Sequence, residues 1–150
     1  MKSRALQQGG FLLEALVAIL IFSFGVLGIV GLQASAMQFT NDAQYRSEAA
    51  YLANTLIAQM WADNRAQIAV KYGMPPGPGL GYTTMKAQID ADLPGAAALP
   101  AAAPSLEILF NEQAPVTPTS VNVRVVVRWK APSDTQAHNY ETTATIGQNL

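Results

Sequence analysis

The side chains able to do chemistry in this chain are few and scattered. It has no cysteine and a single histidine, His138, which removes thiolate nucleophiles, disulfides and histidine-rich metal sites together. Asp90 and Asp92 stand two apart and offer oxygen ligands, but no EF-hand-type ligand array surrounds them, so they read as solvated carboxylates. Ser105 and Ser133 have no base in a recognisable order, which leaves nucleophilic catalysis unsupported. Arg124, Arg128 and Lys130 fall on one face of a strand-like segment and could touch DNA or an acidic partner. No aromatic stacking row accompanies them, which favours a solvated sheet face. The net charge of -1 gives no general basic footprint for nucleic acid either. One carboxylate stands apart from all of these: Glu14, inside "QQGGFLLE" at the mouth of a long apolar run.

From Ala15 to Leu32 eighteen residues carry no charge, and Ser23 is the only polar side chain among them. That length is near the lower limit for crossing a hydrocarbon core, and adding Phe11, Leu12 and Leu13 makes it comfortable while enclosing Glu14. Lys2 and Arg4 precede the run and the next charge is Asp42, so the N-terminus is expected in the cytoplasm and the rest outside. A secretory signal peptide would have a shorter apolar core and no carboxylate in it. A carboxylate placed in a span costs about 2.5–3.5 kcal/mol at the centre and less near the end, so one found there usually has a partner.

A short basic leader, a glycine, an apolar run and a glutamate five positions after the glycine resemble a type IV prepilin signal. Beyond it, "LLEALVAILIFSFGVLGIVGLQA" followed by "RSEAAYLANTLIAQMW" is similar to the minor pilins of the PilV type, the type IV pilus modification proteins. The resemblance covers roughly residues 8–64. It implies an inner-membrane protein whose leader, residues 1–9, is removed by a prepilin peptidase, with methylation of the new amine. The family's glutamate is fifth in the mature chain, which places the cut after Gly9 and makes Gly10 the methylated first residue. A cut after Gly10 would leave Phe11, the more usual first residue, with Glu14 only fourth. Glu14 is then expected to pair with the N-terminal amine of a neighbouring subunit, fixing the step between subunits. The resemblance further implies major pilin, other minor pilins and a tip adhesin as partners, a role in initiating or modifying the filament, and no cofactor or catalysis of its own. A type II secretion pseudopilin shares the same signal. A DNA-binding pilin used in uptake is the rival that Arg124, Arg128 and Lys130 would serve.

The elements that must carry these residues follow from periodicity. Residues 10–32 form the apolar half of one helix and 33–72 its amphipathic half, with Tyr45, Ala49, Leu52, Leu56 and Met60 on one stripe. Gly73 and Pro75-Pro76 end it. Gly25, Gly28 and Gly31 recur every three residues, serving either close packing or local flexibility. Residues 73–150 form a periplasmic head. Proline-, glycine- and alanine-rich linkers flank a short helix at about Thr84–Leu93, marked by Met85, Ile89 and Leu93. Three segments then alternate with period two: Leu106, Ile108 and Phe110; Val121 to Trp129 on odd positions; and Tyr140, Thr142, Ala144 and Ile146. The expected fold is α+β and pilin-like, a long N-terminal helix whose stripe is covered by a three-stranded antiparallel sheet.

Overall fold

The structure is a computed structural model that describes residues 8–73, 77–111, 120–132 and 134–147. The chain divides into two compact units, one up to Asp42 and one from Ala43 onward. Helix α1 (Gln8–Ala62) contributes to both. A long stretch of alanine, leucine and isoleucine without proline lets the helical hydrogen bonds run on uninterrupted. In the first unit every residue from Gly10 to Asp42 is exposed except the half-buried Ala15.

In the second unit the same helix presents its amphipathic stripe to a core. Ala49, Leu52, Leu56 and Met60 have no exposed surface, and Tyr45 packs partly against them. Facing them is a sheet of β1 (Leu106–Asn111), β2 (Ser120–Trp129) and β3 (His138–Gly147), in the order β1-β2-β3 with both pairs antiparallel. The registers align the apolar positions in rows: Leu106, Val127 and Tyr140; Ile108, Val125 and Thr142; Phe110, Val123 and Ala144. Because side chains alternate with period two, each row lies on one face, and this face closes the core. The α+β layout of a long apolar N-terminal helix packed with a small antiparallel sheet is as the sequence predicts.

The helix does not run to Tyr72. It stops at Ala62, and a separate helix α2 (Arg65–Tyr72) begins after Asp63 and Asn64. Asn64 has extended backbone and its side chain accepts a hydrogen bond from the Ala66 N–H at 3.0 Å, capping α2. Short polar side chains compete with helical backbone bonds in this way, and two in sequence suffice to break the run. The Asp63 carboxylate accepts two hydrogen bonds from Lys71 Nζ at 2.8 and 2.7 Å, and another from the Tyr72 hydroxyl. In an unbroken helix residues eight or nine apart stand about 12–14 Å apart along the axis. The break is what lets them meet.

Helix α3 (Leu80–Asp92) begins at Leu80 rather than Thr84. Met85, Ile89 and Leu93 are buried as their spacing predicts, joined by Tyr82, whose hydroxyl donates to the Leu106 carbonyl at 2.9 Å. Gly79 makes the early start feasible: a Cβ there would lie 2.1 Å from the Lys71 carbonyl oxygen. After α3 a single 3-10 turn (Ala96–Ala98) follows Gly95, which sits in the left-handed region at φ 64°. The Lys130 N–H donates to the Pro94 carbonyl at 2.9 Å and the Arg128 N–H to the Ser105 carbonyl at 2.8 Å. The proline- and alanine-rich linker is thereby stitched to the end of β2.

Candidate functional site

Gly9 and Gly10 lie in the opening turns of α1, and Glu14 follows Gly10 by four residues, one helical turn further along the same face. The residues between are bare: Phe11, Leu12 and Leu13 are 72, 65 and 66 % exposed. Glu14 is exposed as well and has no hydrogen-bond or ion-pair partner among the described residues. Ser23 behaves differently. Its hydroxyl donates to the Ile19 carbonyl one turn back at 2.7 Å, so the one polar side chain of the uncharged run is satisfied within the helix. A hydroxyl bonded in this way is tolerated in hydrocarbon, where an unsatisfied polar group costs several kcal/mol. Gly25, Gly28 and Gly31 have open space around them, so nothing among the described residues requires their lack of a side chain. The helix is long and apolar enough to cross a membrane. Lys2 and Arg4, the basic residues ahead of the apolar run, lie outside the described residues.

The second candidate, the basic cluster, is not the open array that the sequence pattern offers. Arg124 grips Glu141 through two contacts, NH2 to Oε2 at 2.7 Å and Nε to Oε1 at 2.6 Å. Hydrogen bonding from Arg124 holds the Glu141 carboxyl below the usual carboxylate range. Arg128 donates to Glu107 Oε2 at 2.6 Å and to the Pro104 carbonyl at 3.2 Å. Lys130 is exposed and lies one residue past the end of β2, so it is not part of the strand face. The two pairs frame Val126, which stands between Glu107 and Glu141 in register and is buried on the outer side of the sheet. Along β2, Arg124 and Arg128 flank it two residues away on either side. A buried valine thus stands among two ion pairs, whose long side chains are of the kind that can cover apolar surface. Two cations matched by two anions leave little field for a polyanion.

Other sequence candidates fall as follows. Asp90 is not a solvated carboxylate: it accepts from Lys86 Nζ at 2.5 Å and from the buried Ser105 hydroxyl, tying α3 to the start of β1. Asp92 is exposed. Ser105 is thus a donor to a carboxylate and is sealed from solvent, while Ser133 lies outside the described residues. His138 opens β3 with its ring stacked on Trp129, centroids 5.8 Å apart, and its Nε2 2.9 Å from Asp134 Oδ2. The Asp63 junction was not singled out by sequence reasoning. Its signal was the adjacent pair Asp63-Asn64 interrupting an otherwise helical pattern.

The arrangement offers one helix terminus with a glycine pair and a partnerless carboxylate one turn on, in an apolar surface that the described chain leaves uncovered. No protein-family model, no curated protein and no solved structure matches this chain.

Proposed function

We propose that this chain is a minor pilin of a type IV pilus. It is inserted in the inner membrane with its N-terminus in the cytoplasm, cut by a prepilin peptidase after Gly9, and methylated on the new amine of Gly10. It then joins major pilin and other minor pilins in starting or modifying the filament, and it does no chemistry of its own. The observation that carries this reading is Glu14, a carboxylate without a partner among the described residues, one turn after a glycine pair and just ahead of an exposed uncharged run whose one polar side chain is already satisfied. Such a charge, with no partner among the described residues, calls for a cation, and the amine created one turn before it on a neighbouring subunit is of the right sign. In a low-dielectric bundle the two attract strongly, and neither is cheaply left alone.

The test is the mass of the mature N-terminal peptide after co-expression of the full chain with a prepilin peptidase. A methylated peptide beginning at Gly10 is expected. One beginning at Phe11 would keep the pilin reading and move the cut by a glycine. A chain that keeps its leader, or is cut elsewhere, would sink the proposal.

A further inference from the structure

The two ion pairs occupy one end of the outer face of the sheet. Toward the other end that face is hollow, a cavity of about 620 Å³ floored by all three strands. Two registered rows supply its side chains: Leu109, Arg124 and Thr143, then Asn122 and Thr145. Phe110, Val123 and Ala144 also line it, but they belong to the inner row. By alternation they give backbone to the hollow and side chains to the core.

The polar groups of the hollow are held in place and only partly used. Glu141, which does not line it, fixes the Arg124 guanidinium through Nε and NH2 and leaves NH1 without a partner among the described residues. The Thr145 hydroxyl donates to Asn122 Oδ1 at 2.7 Å, so the amide N–H groups of Asn122 remain for another acceptor. The Thr143 hydroxyl has no partner among the described residues. Hydroxyls both donate and accept, and the one cation in the lining is matched by Glu141. The hollow therefore offers hydrogen bonding without net charge. Its apolar side-chain surface is confined to Leu109, 43 % exposed. Protein interfaces centre on desolvated aromatic or arginine anchors, and polyanions need unmatched cations. The lining supplies neither.

We infer that this hollow binds a neutral saccharide unit. Its volume is that of an ordinary small-molecule site. Neighbouring hydroxyls of a pyranose present donors and acceptors side by side, and planar groups with two polar atoms, such as a guanidinium edge and a carboxamide, match that spacing. Arg124 and Asn122 provide the planar groups, Thr143 and Thr145 the hydroxyls, and Leu109 an apolar surface for the ring C–H groups. The inference needs only the sheet and is independent of the pilin reading.

Saturation-transfer NMR tests it on the full chain, held in a detergent without a sugar headgroup. The probes are the methyl glycosides of glucose, galactose and mannose. At least one should receive saturation from the protein, unequally among the three epimers and with no loss on adding salt. The signal should disappear in Asn122→Leu and in Thr143→Val and persist in Gln88→Leu, an exposed change on α3 outside the hollow. Thr143 is exposed, and valine matches threonine in shape and suits a strand, so Thr143→Val decides the matter even if Asn122→Leu fails to fold. No signal from any of the three would overturn the inference, as would a signal that survives in Thr143→Val. Binding of glucuronate alone, removed by salt, would also overturn it and reduce the hollow to a contact between Arg124 and an anion.

Discussion

Lys71, and after it Tyr72, hydrogen-bond the Asp63 carboxylate and hold its pKa below the ordinary value of 3.8. A carboxylate depressed by folding stabilises the native state above its unfolded pKa, and that contribution is lost as the pH falls through the folded value. Melting temperature should therefore drop on acidification below about pH 4 in the wild-type chain. In Asp63→Asn the drop should be shallower and start from a lower melting temperature, and an identical slope would deny Asp63 this role. Glu141, lowered by Arg124, has the same sign and accounts for part of what remains. Glu14 was legible in the sequence because a charge in an apolar run is visible without any fold. Asp63 was not, because its partners come eight and nine residues later and are reachable only through the break at Asn64. If Glu14 sets the step between subunits, Glu14→Ala should still be processed and methylated but be missing from sheared filaments; normal recovery there would refute the pairing.

The strands were legible for the same elementary reason that makes them pack: alternation needs only neighbours two residues apart. Val126 escaped that logic. It sits on the polar parity of β2 yet is buried, standing in register between Glu107 and Glu141, and that neighbourhood depends on register across three strands. The start of α3 escaped too, because "GPGLGY" reads as a linker when the close approach of Gly79 to Lys71 is unknown. Two substitutions test these elements by chemical denaturation. Leu56→Ala removes a side chain with no exposed surface between α1 and the sheet, and should cost about 2–5 kcal/mol. Gly79→Ala pushes a methyl group toward a backbone carbonyl that cannot rotate away, and should cost about 1–3 kcal/mol. Loss within noise for Gly79→Ala would mean that the α2–α3 turn yields freely.

Two solvents are written into one chain. Up to Asp42 the apolar side chains of α1 face outward, whereas from Ala49 to Met60 its stripe faces a core made by other parts of the same chain. The chain is expected in the membrane fraction, retained through high-salt and alkaline washes and released by detergent; release by salt alone would contradict a spanning helix. The sheet that covers the stripe is drawn from residues 106–147, the last part of the described chain to leave the ribosome. Chains are made from the N-terminus at about 5–20 residues per second, so Leu52, Leu56 and Met60 wait several seconds for their cover. During that interval the half-made chain carries a naked apolar ridge on the section of α1 that folding later buries. A holding chaperone would thus meet this ridge before any strand does. Nascent chains stalled before β2 should be its tightest clients.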